Sequence, residues 1–79
     1  MILSGHAKEE MLADGISEEE VRQCLEFGTI EIEQPVRGEM RYGKQIDLKH
    51  KAIMVIYTLS GEEPRVITVC RLSIRREKR

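Results

Sequence analysis

Aromatic residues are scarce in this chain of 79 residues, which has one Phe, two Tyr and no Trp. Proteins that bind single-stranded nucleic acid without sequence preference stack successive bases on aromatic side chains. The composition therefore argues against a stacking platform of this kind. Any contact with nucleic acid would be electrostatic, with an affinity that falls as the salt concentration rises.

Cysteine and histidine are also rare. The two cysteines, Cys24 and Cys70, are too few for a secreted disulfide scaffold, and both lie at apolar positions of predicted elements. We therefore expect two buried thiols in a reducing compartment. The two histidines are far apart in the chain, and no spacing of Cys and His matches a zinc site, so we expect no metal and no cofactor.

Long apolar runs are absent. No segment approaches the roughly 20 apolar residues of a membrane-spanning helix, and residues 1–3 lack the basic start and the apolar length of a signal peptide. We therefore expect a cytoplasmic protein with no membrane partner. A single domain of this size buries only about 60% of the surface that its unfolded chain exposes, so a dimer or a partner would add stability.

Charged residues are abundant but unevenly placed. Residues 1–33 hold nine acids and two bases, whereas residues 34–79 hold eleven bases and five acids. A basic half permits a polyanion such as RNA to bind, because phosphate contacts supply most nonspecific affinity. The same split is expected if the two halves of the domain attract each other, or if monomers pair head to tail.

The longest apolar run, residues 52–59, contains β-branched and aromatic residues and no charge. This composition predicts a central strand that is covered on both faces. A second run rich in β-forming residues, 66–74, follows after the loop at residues 60–64. Two such runs joined by a short loop that contains glycine predict an antiparallel hairpin.

Two helices are predicted before the strands. Ser4 is available as the N-cap of the first helix, which would end at Gly15 in the left-handed conformation. Ser17 and Glu20 have the spacing of a capping box, which predicts the start of the second helix. That helix would end at Gly28 in the same way as the first one ends.

Strands with a period of two follow the second helix. Residues 29–33 alternate apolar and acidic side chains, which predicts a strand with Ile30 and Ile32 pointing inward. Residues 38–48 repeat the alternation, and Gly43 within them predicts a bulge or a bend.

This order of elements predicts an α+β fold, with two N-terminal helices packed on a four-stranded antiparallel β-meander. We expect a single domain over residues 1–74. Residues 75–79 carry four bases and no apolar side chain, which predicts a basic tail.

One set of positions runs through both halves of the chain: His6-Ala7, Met11, Gly15-Ile16-Ser17, Glu20-Val21, Leu25, Gly28 and Val66-Ile-Thr-Val69. This spacing resembles a widespread microbial family of short domains of unknown function. That family opens with His-Ala, then Met, then Arg-Gly-Ile-Ser and an acidic helix start. The resemblance implies a RelE-like fold, of the superfamily that includes RelE, BrnT, barnase, EndoU and the colicin ribonucleases.

The function that the resemblance implies is that of a toxin-like, metal-independent ribonuclease, or of a degenerate member of such a family. Such an enzyme needs a base for the ribose 2′-hydroxyl, cations for the charged phosphorane and an acid for the leaving oxygen. His6 matches the most distinctive position of the family, and imidazole titrates near neutral pH. The other candidate catalytic residues are Arg41, Tyr42 and Thr68, and the candidate substrate-binding residues are Arg37, Lys44, Arg65 and Arg71.

Each candidate also has a structural interpretation. His6 fits a helix start, the arginines fit a solvated face and the tyrosines fit the core. The family usually has arginine before Met and before Gly-Ile-Ser, where this chain has Glu10 and Asp14. If those arginines hold phosphate in relatives, the contacts would be repulsive here. The alternative function is therefore a non-catalytic protein-interaction module or a small homodimeric scaffold domain. The partners implied are RNA, an antitoxin or another protein, and a second copy of the chain.

Overall fold

The computed structural model describes residues 1–72. Within this range no helix is long and apolar enough to cross a membrane. Two helices and five strands follow one another in the order β1 (Ile2–Leu3), α1 (Gly5–Asp14), α2 (Glu18–Phe27), β2 (Thr29–Val36), β3 (Glu39–Asp47), β4 (Ala52–Ser60) and β5 (Glu63–Leu72).

The sheet has the strand order β1-β5-β4-β3-β2, with β4 at its centre as predicted. The class is α+β, but the predicted four-stranded antiparallel meander is wrong. Ile2 and Leu3 form a fifth strand that lies parallel to β5, opposite Arg65 and Val66. Two residues are too few to show a period of two, so the sequence pattern does not distinguish this strand from a lead-in segment.

Both helices contribute to one core on one face of the sheet, which we call the helix face. Strand residues of this face include Ile53, Val55 and Tyr57 of β4. Side chains alternate between the faces of a strand, so Met54 and Ile56 point to the other face, which we call the open face. The buried core as a whole contains Ala7, Met11, Ile16, Val21, Cys24, Ile53, Val55, Tyr57, Val66 and Val69.

Both predicted helix starts are confirmed. The Ser4 hydroxyl accepts a hydrogen bond from the N–H of Ala7. Ser17 and Glu20 form the complete capping box, with bonds of 3.1 and 3.0 Å in its two directions. The predicted left-handed end of α1 is also confirmed, since Gly15 has a φ of 67°.

The predicted left-handed end of α2 is wrong. Gly28 is extended, with φ −72° and ψ 168°. Glycine is needed there for space, because a Cβ would lie 2.5 Å from the carbonyl oxygen of Cys24 and 2.9 Å from that of Gln45. Gly28 therefore allows α2 to pass directly into the edge of the sheet.

The predicted inward packing of Ile30 and Ile32 is also wrong. A bulge separates the two residues, so Ile30 pairs with Lys44 whereas Ile32 pairs with Gly43. A bulge inserts one residue and shifts the alternation; the two isoleucines therefore point to opposite faces, and they are 45% and 37% exposed. The bulge lies opposite Gly43, where the sequence predicts an irregularity.

The predicted hairpin of β4 and β5 is present, but its loop is shorter than predicted. Ser60 pairs with Glu63, so the turn consists of two residues, and Pro64 lies within β5. Cys24 is buried as expected, whereas Cys70 is exposed, which corrects the expectation of two buried thiols. The predicted basic tail, 75–79, lies outside the described residues.

Candidate functional site

His6, the candidate general base, is the second residue of α1 and is exposed to solvent. Its Nε2 lies 3.9 Å from Glu10 Oε2, one turn further along the helix. The structure thus places the imidazole beside a carboxylate, on the helix layer that covers the helix face of the sheet.

Arg41, Arg65 and Thr68 point to the open face. Arg65 pairs with Thr58 and Thr68 pairs with Ile56, and paired residues of an antiparallel ladder share a face. Arg41 directly precedes Tyr42, whose partner Tyr57 belongs to the helix face, so Arg41 points the other way. The sheet therefore separates His6 from these candidates.

Tyr42 and Lys44 point to the helix face. The rings of Tyr42 and Tyr57 are 5.5 Å apart, and Lys44 Nζ lies 6.0 Å from the centroid of the Tyr57 ring. Burial, together with the nearby Tyr42, Cys24 and Glu33, raises the pKa of Tyr57. Lys44 Nζ also donates a 2.5 Å hydrogen bond to the carbonyl oxygen of Leu25. Lys44 therefore stabilises the last turn of α2, since a cation there satisfies a free carbonyl.

Arg37 and Arg71 lie apart from both groups. Arg37 occupies the turn between β2 and β3 with a φ of 51°. Arg71 pairs with Ile53, on the helix face, and its backbone N–H donates to Asp14 Oδ2 at 3.4 Å. Asp14, at the end of α1, thus contacts the backbone of β5.

The structure therefore divides the predicted site residues instead of joining them in one cleft. Arg41 and Arg65 lie in one row of the open face, on either side of Thr58. Tyr42 and Lys44 are neighbours on the helix face. The catalytic and binding roles assigned to all these residues stay predictions.

The sequence alone does not reveal one further feature, the outer edge of β2. Seven of the eight residues of this strand are exposed, and within residues 1–72 no other strand pairs with that edge. Ile30 and Ile32 add exposed apolar surface. The strict alternation of apolar and acidic residues over 29–33 is typical of a strand with one buried face. The pattern therefore predicts burial of Ile30 and Ile32, whereas both are exposed.

A surface pocket lies at the Thr29 end of this edge, where α2 passes into β2. Phe27, which is 70% exposed, lines it together with two acidic residues, Glu31 and Asp47. Thr29, Gln45 and Ile46 complete the lining. Within the described part of the chain, no group of three His, Cys, Asp or Glu residues has the arrangement of a metal site.

The comparisons with known proteins give one family. A family model described as "Domain of unknown function (DUF4258)" matches residues 3–71, from β1 to β5. No curated protein and no solved structure matches the chain. The match supports the predicted relationship to a family of short domains of unknown function.

Proposed function

We propose that this chain, which belongs to the DUF4258 family, is a non-catalytic protein-interaction module whose binding surface is the outer edge of β2. The observation that supports this proposal is the exposure of seven of the eight residues of β2. An edge strand presents unpaired N–H and C=O groups, to which an extended segment of another chain can add as a further strand.

The register of β2 with β3 identifies the backbone groups of β2 that face away from β3. Val36 and Glu39 pair across the two-residue turn, so they form a hydrogen-bonded pair. Alternation along the ladder then makes Glu33 and Pro35 non-bonded positions, whose nitrogen atoms face away from β3. Pro35 has no N–H to offer at its outward position, which fits its place in an edge strand. The N–H of Glu33 is the outward donor next to it.

The side chains of β2 add selectivity. Ile30 and Ile32 supply apolar contacts on the two faces of the strand. Glu31 and Glu33 oppose an antiparallel pairing of β2 with a second β2, because like charges would then lie close together. The edge therefore favours a partner segment that is not acidic.

Substitution of Glu33 tests the proposal at the backbone. Glu33→Pro removes the outward N–H without removing a bond to β3, and Glu33→Ala is the matched control that removes only the charge. We expect a partner captured from an extract of the source organism by the wild type and by Glu33→Ala to be lost with Glu33→Pro. In the complex, amide hydrogen exchange should slow in residues 29–34. A partner that still binds Glu33→Pro, or protection confined to other residues, would contradict the proposal.

We propose the toxin-like ribonuclease as a second candidate, because two arginines lie beside Thr58 on the open face. Thr58 is only 5% exposed although no described helix covers this face. Arg41 Nε is buried without a hydrogen-bond partner among residues 1–72, and lies 3.8 Å from Glu39 Oε2. Two guanidinium groups in one row suit the phosphates of RNA.

RNA assays separate the two candidates. The ribonuclease requires RNA binding that weakens from 50 to 200 mM salt, in line with counterion release, and that is lost in Arg41→Ser/Arg65→Ser. It also requires cleavage that is lost in the same double variant. Because the sheet separates His6 from these arginines, His6→Ala tests the role predicted for that imidazole separately. If RNA is neither bound nor cleaved by the wild type, the second candidate is wrong and the interaction module stands alone.

A further inference from the structure

We propose that the segment that adds to β2 is the basic C-terminal segment, residues 73–79, of a second copy of this protein. This inference rests on the proposed function, since it names the occupant of the same strand edge. Its sequence is Ser-Ile-Arg-Arg-Glu-Lys-Arg.

The charges of the segment and of β2 are complementary. The segment 73–79 carries four bases and one acid, whereas β2 carries Glu31 and Glu33 and no base. Asp47 adds a third carboxylate at the Thr29 end of the edge. Within residues 1–72 none of these three carboxylates forms an ion pair. A basic segment along β2 would therefore neutralise acids that the rest of the described residues leave unpaired.

The pocket beside β2 has the chemistry to bind an arginine. The exposed Phe27 lines the pocket together with the acidic residues Glu31 and Asp47. A guanidinium group stacks on an aromatic face and pairs with carboxylates through a planar fork of donors. Arg75 and Arg76 are the first cations of the segment, so one of them is the expected occupant of the pocket.

The distance from β5 to the outer edge of β2 indicates that the segment comes from a second copy. Leu72 pairs with Ala52, which pairs with Asp47, so the segment leaves β5 at the end of the sheet where the pocket lies. From β5 to a position outside β2 is four strand spacings, or about 19 Å. An extended chain needs about six residues to cover this distance. In its own molecule residues 73–78 would be used to reach the outer edge of β2, whereas in a second molecule they can pair with that edge from Ser73 onward.

Each molecule offers one acidic edge and one basic segment, so two molecules can bind each other reciprocally. A two-fold arrangement of this kind closes the assembly at a dimer. It also agrees with the uneven distribution of charge along the sequence, since Glu31 and Glu33 belong to the acidic residues 1–33 and the segment belongs to the basic residues 34–79.

A charge exchange between two variants tests the proposal. The edge variant carries Glu31→Lys and Glu33→Lys, and the segment variant carries Arg75→Glu and Arg76→Glu. Each variant alone would set like charges against each other, so we expect it to be monomeric. In the mixture both reciprocal contacts are again of opposite charge, and we expect a one-to-one dimer. Size-exclusion chromatography with light scattering, at low and high salt, measures these states beside the wild type, for which we expect a dimer that dissociates as salt rises.

The control is Glu9→Lys/Glu62→Lys, which reverses two exposed acids away from β2 and should leave the dimer intact. A monomeric wild type, a dimer that survives in the edge variant or the segment variant alone, or a mixture that does not associate would each overturn the inference. A monomeric wild type whose pocket is occupied by its own segment would do so as well.

Failure of this inference is distinguishable from failure of the proposed function. If the wild type is monomeric but a different protein protects residues 29–34 from hydrogen exchange, the edge binds a partner and only its identity is wrong. If the dimer forms while residues 29–34 exchange freely, the dimer uses another surface and the inference is overturned.

Discussion

Lys51 Nζ lies 2.9 Å from Glu20 Oε1 and thereby links the connection between β3 and β4 to the start of α2. The same ammonium group donates a 2.6 Å hydrogen bond to the carbonyl oxygen of Gly15, at the end of α1. One side chain of the sheet layer thus joins the two helices where they meet.

Glu20→Gln should make stability less dependent on pH in acid. The hydrogen bond from Lys51, and then that from the N–H of Ser17, lowers the pKa of Glu20. A carboxyl with a lowered folded pKa contributes stability above its unfolded pKa, about 4.3, and loses it as pH falls through the folded pKa. We expect Glu20→Gln to lower the free energy of unfolding by about 0.2–1 kcal/mol at pH 7, with a smaller difference at pH 3.

Urea unfolding followed by circular dichroism at both pH values measures this difference. Glu19→Gln is the control, because the pair that Glu19 forms with Arg22, at 3.6 Å, is exposed, so this variant should show little effect. A difference between wild type and Glu20→Gln that stays the same at pH 3 would refute the role of the ion pair.

Gly28→Ala should destabilise the fold strongly. The added Cβ would lie 2.5 and 2.9 Å from two backbone carbonyl oxygens, which cannot move without displacing α2 or β3. We expect a loss of about 3 kcal/mol, at the upper end for overpacking, measured as a lower midpoint in urea. Gly5→Ala is the matched control, because a Cβ there meets nothing within 4 Å and should be neutral or stabilising. Equal urea midpoints for the two variants would show that the backbone between α2 and β2 can shift to accommodate the added Cβ.

Arg37→Asn should stabilise the turn between β2 and β3. Arg37 has a φ of 51° and Gly38 a φ of 82°, as in a type I′ turn, for which Asn-Gly is the preferred pair. A left-handed residue with a Cβ costs roughly 1–2 kcal/mol, and Asn tolerates it best. We expect a gain of about 0.5–1 kcal/mol, read as a higher melting temperature, and a loss for Gly38→Ala. A lower melting temperature for Arg37→Asn would indicate that the arginine side chain itself stabilises the turn.

The two cysteines should differ in their reactivity. Cys24 is buried, its S–H donates to the carbonyl oxygen of Lys44 at 3.3 Å, and burial raises its pKa to about 11. Cys70 is exposed, although partial burial and the nearby Asp14 raise its pKa as well. The thiolate is the reactive form, so alkylation of Cys70 should be slow at pH 7 and faster above pH 9.

Mass spectrometry of peptides from the alkylated protein measures the two rates. In the folded protein we expect modification of Cys70 only, and modification of both residues in denaturant. Cys70→Ser should then be unreactive while folded. Rapid labelling of Cys24 in that variant would mean that α2 opens readily.

Local signals in the sequence predict the helix layer well. The Ser17 and Glu20 capping box, the Ser4 cap and the left-handed Gly15 depend on neighbours within a few residues, and all three are confirmed. The extended Gly28 is not predictable in this way. Part of the requirement for glycine at this position comes from the carbonyl oxygen of Gln45, which is distant in sequence.

The candidate site is predictable only as a set of residue types. Which face Arg41 or Lys44 occupies follows from the alternation along β3, but its position relative to His6 depends on where α1 packs. The exposed edge of β2 and the pocket at Phe27 follow from strand order, and strand order is not encoded in any local period.

The sequence by itself determined where each helix begins, the identity of the central strand and the division of charge between the two halves, because caps, apolar runs and charge are properties of neighbouring residues. The tertiary structure alone decided that Ile2–Leu3 joins the sheet, that the bulge turns Ile30 and Ile32 to opposite faces, and that His6 and Arg65 lie on different sides of the sheet. These relationships depend on contacts between residues far apart in the chain, and such contacts leave no periodic signal.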